Sequence, residues 1–133
     1  FKTKMPEPLR NPEIKYTQLF INNEFVNASS GKTFDDINPS TFEKIATIQE
    51  GNEVDINKAV VAAKDAFQLG SKWRTIDASE RGRFIYKIAD LIERDHLYLA
   101  SVECLDVGKP FEQSYGDIGF SVKCMRSYAG WAD

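Results

Sequence analysis

The chain has 133 residues, enough for one domain of ordinary size. Hydrophobic residues make up 42% and charged residues 28%, the balance of a globular chain rather than a disordered one. The net charge of −3 argues against nucleic acid as the main partner, and no apolar run approaches the ~20 residues of a membrane span.

Residues 1–15 carry Pro6, Pro8 and Pro12 among charged residues and read as an extended tail. The start has no apolar h-region and is not a secretory signal. Met5 reads as an initiator, with Phe1 to Lys4 as left-over residues or a partial upstream stretch. Cys104 and Cys124 are the only cysteines, too few for a disulfide framework, so reduced core thiols in a cytoplasmic protein are expected. Next, Leu19-Phe20-Ile21, Asn22-Asn23-Glu24 and Phe25-Val26 read as strand, turn and strand, because asparagine tolerates positive φ. A loop at Ser29-Ser30-Gly31, a short run ending at Asn38-Pro39 and a strand around Lys44 to Ile48 make residues 16–50 β-rich.

From Asn52 the period becomes helical. Ile56, Ala59, Val60, Ala63 and Phe67 form one apolar stripe, with Asn52 as cap and Gly70 as the closing residue. A second helix is expected from Asp77, with Glu80 at capping-box spacing and a stripe of Phe84, Ile85, Ile88 and Ile92. Asp95 is expected to cap a third helix that Gly108 ends. Pro110 is expected to open a fourth, striped by Ile118, Val122, Met125 and Ala129. Residues 121–133 read as helix to the last residue, with no stop signal, so the expectation is a piece of a longer chain.

Catalytic constellations are missing from the sequence itself. Neither G-x-G-x-x-G nor G-x-x-x-x-G-K-[ST] occurs. The nearest run, Gly116-Asp117-Ile118-Gly119, reads as helix glycines allowing close packing. His96, the only histidine, reads as a solvated first-turn residue. Cys104 lies about two helical turns, or ~12 Å, further on, too far for proton transfer. Glu80, Glu93 and Glu103 read as solvated charge.

Six ordered motifs carry a resemblance. They are Leu19-Phe-Ile-Asn-Asn-Glu-Phe, Asn38-Pro-Ser-Thr, Asp77-Ala-Ser-Glu-Arg-Gly-Arg, Ala89-Asp-Leu-Ile-Glu-Arg-Asp95, Leu105-Asp-Val-Gly-Lys-Pro110 and Tyr128-Ala-Gly-Trp-Ala-Asp133. Over residues 15–133 the chain resembles the amino-terminal part of the aldehyde dehydrogenase superfamily. The branch is that of cytosolic retinal dehydrogenases and mitochondrial acetaldehyde-oxidising enzymes. The resemblance implies an α/β fold in which the hairpin and helices of residues 16–133 belong to an incomplete Rossmann-type cofactor domain. It also implies a homotetramer that oxidises a small-molecule aldehyde with NAD. A cysteine thiolate forms a thiohemiacetal, hydride passes to NAD, and water hydrolyses the thioester. That machinery lies downstream of Asp133 in the family, and neither cysteine here matches the nucleophile's motif. No catalytic or NAD-binding residue is therefore assigned.

Three positions match the family's sodium or potassium site: main-chain oxygens of Asp36 and Ile37, and the carboxylate of Asp106. Hard cations favour such oxygen ligands. The other reading is that Asp106 only brackets a helix end. Gly108 and Pro110 read as a helix stop and start, with Lys109 on the last carbonyls of the preceding helix. The next helix lines the aldehyde tunnel in relatives. Here it is one residue shorter and has two atypical glycines, with Phe120 near a tunnel-lining position. Some relatives in this branch serve as lens crystallins, which makes a structural role the rival to catalysis.

Overall fold

The computed structural model describes residues 5–132 and divides the chain into two compact units. One holds residues 14–37 and 42–76; the other holds the stretch up to Glu13, residues 38–41 and residues 77 onward.

The first unit begins with β1 (Leu19–Ile21) and β2 (Glu24–Val26), an antiparallel hairpin pairing Phe20 with Phe25. Asn22 and Asn23 have φ of 52° and 63°, as a two-residue turn matching the twist of its strands requires. Glu24, expected in the turn, already belongs to β2. The second hairpin joins β3 (Thr33–Ile37) to β4 (Lys44–Gln49), with a register shift between Asp36 and Ile37. Helix α1 (Glu53–Ala66) follows, and Asn52 caps it in a full capping box with Asp55. The Asp55 carboxylate is 3% exposed and also accepts from the Ser29 N–H at 3.1 Å and the Ser29 hydroxyl at 3.2 Å. Burial pushes this carboxyl up, but the bonds from Asn52 and Ser29 outweigh it and hold it below its ordinary value.

Two expectations fail in this unit. Helix α1 stops at Ala66, with Phe67 as its C-cap, and Gly70 at φ 80° instead leads into the short α2 (Lys72–Thr75), whose N-cap is Ser71. The expected stripe is also largely uncovered, with Ile56 61% and Phe67 58% exposed. The inward positions of α1 are Asp55, Ala59 and Ala62.

The second unit is helical: α3 (Ala78–Arg94), α4 (His96–Val107) and α5 (Phe111–Ala129). Small residues make its core. Ala89, Ala100, Val122 and Ala129 are buried, and a Cβ on Gly82 would lie 2.7 Å from the Ala129 carbonyl oxygen, so α3 and α5 nearly touch there. One side of that crossing is clamped by Arg126, which donates to Asp90 at 2.8 Å and Glu93 at 2.6 Å. Of the expected α3 stripe, Phe84 and Ile88 face outward at 48% and 47% exposure. The chain from Leu9 to Glu13 is tied to α4, where the Leu9 N–H donates to Ser101 Oγ and the Tyr98 hydroxyl to the Glu13 carbonyl.

Several caps also differ from expectation. Asp77 caps α3 through the Ser79 N–H at 2.9 Å, while Glu80 pairs with Arg83 instead of closing a capping box. Asp95 is the N-cap of α4, as expected, but its side chain makes no cap bond, and its carboxylate accepts from Arg94 at 2.7 and 3.0 Å. Gly108 ends α4 at φ 72°, as expected. Pro110 is the N-cap of α5 rather than its first residue, and α5 ends at Ala129, not at residue 133. Asp133 and residues 1–4, the stretch before the expected initiator Met5, lie outside the described residues.

Candidate functional site

The elbow between α4 and α5 carries a cluster of polar contacts. Gly108 turns the chain in the left-handed region, against Pro39 and Ser40, where an added Cβ would lie 2.7 Å from Pro39 Cγ. The Cys104 thiol donates to the Lys109 carbonyl at 3.1 Å. Lys109 Nζ donates to Glu103 Oε1 at 2.6 Å and Asp117 Oδ2 at 2.5 Å, spanning α4 and α5. These two carboxylates, Asp117 first, raise the Lys109 pKa above its ordinary value and keep it an ammonium.

This corrects two readings. Lys109 is expected on the last carbonyls of α4, yet it binds carboxylates on both helices. Glu103 is not simple solvated charge, since its Oε2 is buried with no hydrogen-bond partner among the described residues. Spacing could not reveal the knot, because the Gly108–Pro110 turn sets the direction in which Lys109 reaches.

The predicted cation ligands fall in both units. Asp36 and Ile37 lie in β3, at the register shift of a two-stranded sheet in which each strand has one open edge. Asp106 sits in the last turn of α4 with its side chain exposed, and it has no hydrogen-bond or ion-pair partner among the described residues. That end of α4 is the negative end of its dipole, which favours a cation. Among the described residues no group of three or more His, Cys, Asp or Glu side chains is placed to hold a metal.

Phe120 projects from α5 at 70% exposure. It borders an open depression of about 530 Å³ lined by Lys123, Cys124, Ser127, Tyr128 and Trp131. Met125 of the expected α5 stripe is 37% exposed, whereas Val122 and Ala129 are buried as expected. Cys104 and Cys124 are half-buried rather than core. His96 is not a solvated first-turn residue. Its ring stacks on Tyr115 with centroids 3.8 Å apart, and its Nε2 donates to the Tyr115 carbonyl at 2.6 Å. Gly119 makes room for that ring, since a Cβ there would lie 3.4 Å from His96 Cε1. Gly116 does not serve close packing, because its Cβ would meet nothing within 4 Å.

The aldehyde dehydrogenase family model matches residues 25–133. The chain belongs to the aldehyde dehydrogenase family. It is 55% identical to aldehyde dehydrogenase 1A1 of Oryctolagus cuniculus over 97% of its own length and 26% of that protein's. With the mitochondrial aldehyde dehydrogenase of Rattus norvegicus it shares 56% identity, over 97% of this chain and 25% of that one. It is also 51% identical to omega-crystallin of Enteroctopus dofleini, over 97% of this chain and 26% of that one. The NAD+ complex of aldehyde dehydrogenase from Bacillus cereus superposes with a TM-score of 0.83 at 43% identity, covering 91% of this chain and 26% of that one. The chain thus spans about a quarter of the length of the relatives it matches, and the mixed helix-and-strand architecture is that of aldehyde dehydrogenase structures.

Proposed function

We propose that the full-length protein oxidises aldehydes to carboxylic acids with NAD, and that residues 16–133 are part of its Rossmann-type cofactor domain. The family match over residues 25–133 carries this reading. The chemistry would run through a cysteine thiohemiacetal, hydride transfer to NAD and hydrolysis of the thioester, on residues beyond this chain. The role of this chain is then structural support: the α4–α5 elbow and the hairpins. We further propose a homotetramer in the cytoplasm, a monovalent-cation site with ligands from Asp36, Ile37 and Asp106, and Phe120 on the wall of the aldehyde passage. What supports the cation site is the exposed Asp106 carboxylate in the last turn of α4, without a partner among the described residues. Asp106→Asn in the full-length protein tests it: the rise in melting temperature that potassium gives over tetramethylammonium should disappear, and an unchanged rise removes Asp106 from the site.

A second reading is favoured by the likeness to omega-crystallin. A crystallin of this descent would keep the fold with little or no turnover. NADH formation from an aldehyde by the purified full-length protein separates the two readings.

A further inference from the structure

We propose that the turn between α1 and α2 is a peripheral docking surface for an anionic lipid bilayer, with Leu69 and Phe67 entering the headgroup layer and Lys64, Lys72 and Arg74 meeting its anionic groups. All of these residues belong to the first unit. The Ser71 N–H donates to the Gln68 carbonyl at 3.0 Å and Gly70 has φ 80°, so residues 68–71 form a tight turn of the kind that needs glycine in third place. That turn puts Leu69 second, at its tip, where the side chain is 85% exposed. Phe67, the C-cap of α1, is 58% exposed, and Trp73 of α2 is exposed as well. Proline is the common choice at the second position of such a turn. A leucine there leaves nearly all of its apolar surface outside the core.

Charge decides what such a surface meets. Residues 64–74 carry three cations, Lys64, Lys72 and Arg74, against one carboxylate, Asp65, in a chain whose net charge is −3. The Arg74 guanidinium lies over the Phe67 ring, 4.7 Å from its centroid, so positive charge sits on the apolar cluster itself. Lys64 and Lys72 are exposed and make no ion pair among the described residues, while Asp65 accepts from Gln68 at 2.9 Å. An apolar protein surface laid over these cations would take away their water without supplying a counter-charge. An anionic bilayer suits both halves at once. Leucine and aromatic side chains enter its interface, and the stems of lysine and arginine lie along it with their heads among the anionic groups.

The test is co-sedimentation of the full-length protein with vesicles of phosphatidylcholine, either alone or with about 30 mol% phosphatidylserine. The parent should partition onto the anionic vesicles at least about fivefold more strongly, and the difference should shrink as salt rises. Leu69→Ser should lower partitioning onto the anionic vesicles about fivefold with an unchanged melting temperature, because the side chain lies outside the core. Lys64→Gln with Lys72→Gln should bring the two vesicle types close together. Leu69→Trp should bind like the parent, and its added emission should move to shorter wavelength only with the anionic vesicles. A parent that binds neither vesicle, binds both alike, or binds independently of Leu69 overturns the inference. An oligomer that Leu69→Ser dissociates, with no vesicle binding by the parent, makes the surface a contact between copies of the chain and overturns it too.

Discussion

Replacing Gly108 by alanine imposes two separate penalties that other glycines of the chain allow to be weighed apart. Gly108 has φ 72°, and a Cβ there would come 2.7 Å from Pro39 Cγ and 3.0 Å from Ser40 Oγ. The left-handed backbone alone costs an L-residue roughly 1–2 kcal/mol, and forcing a methyl into a closed contact costs about 1–3 kcal/mol more. Gly108→Ala should therefore lose about 2–5 kcal/mol. Gly70 has φ 80° with nothing within 4 Å of its Cβ, so Gly70→Ala should lose only the backbone share of roughly 1–2 kcal/mol. Gly116 is helical and equally open, and Gly116→Ala should gain about 0.5–1 kcal/mol from helix propensity. The assay is thermal unfolding of the three variants in the same full-length protein, read as the order of their melting temperatures. A Gly108→Ala variant no less stable than Gly70→Ala would refute the close approach of Pro39 to Gly108.

Phe42 holds φ 62° while 81% exposed, so Phe42→Gly relieves strain and gives up little burial. A net gain of roughly 0.5–1 kcal/mol is expected after glycine's added chain entropy, and a lower melting temperature would contradict it. Asp55 is held below its ordinary pKa of 3.8, so its contribution is complete above that value and is lost as pH falls through its lower folded-state value. Asp55→Asn should therefore flatten the acid limb of a stability-against-pH curve, and an acid limb identical to that of the parent would count against the Ser29–Asn52–Asp55 network. The 133-residue chain by itself should bind no NAD, since its sequence holds neither a phosphate loop nor the acidic residue that grips the ribose. Calorimetric titration showing a micromolar dissociation constant would disprove that.

What the sequence made legible was local chemistry. The Asn22-Asn23 turn, the Asn52 cap, the left-handed Gly108 and the Pro110 start each depend on one residue's backbone preference, and the structure places all four within a residue of expectation. The Asn52–Asp55 capping box has the same three-residue signature in the sequence. What escaped depends on neighbours distant in sequence or on which face meets which. Periodicity finds a stripe, but the helices of the second unit approach through Gly82, Ala89 and Ala129, which turns Phe84 and Ile88 outward. Asp95 takes the N-cap position its chemistry suits, yet Arg94 beside it holds the carboxylate and no side-chain cap bond forms. The His96 stack on Tyr115 and the reach of Lys109 to Asp117 both need α5 laid against α4. At the candidate site, residue identities came from motif resemblance, whereas the exposure of Asp106, without a partner among the described residues, and the knot beside it came only from geometry.

The central proposal, that the full-length protein is an NAD-dependent aldehyde dehydrogenase, is tested most directly by turnover of that protein after purification. Short aliphatic, aromatic and retinoid aldehydes are offered in turn with NAD, and NADH absorbance is followed together with acid formation. The account predicts NADH and carboxylic acid in equal amounts from at least one aldehyde class. A correctly assembled, thermally stable protein that forms neither from any of the three would contradict it and leave the crystallin reading standing.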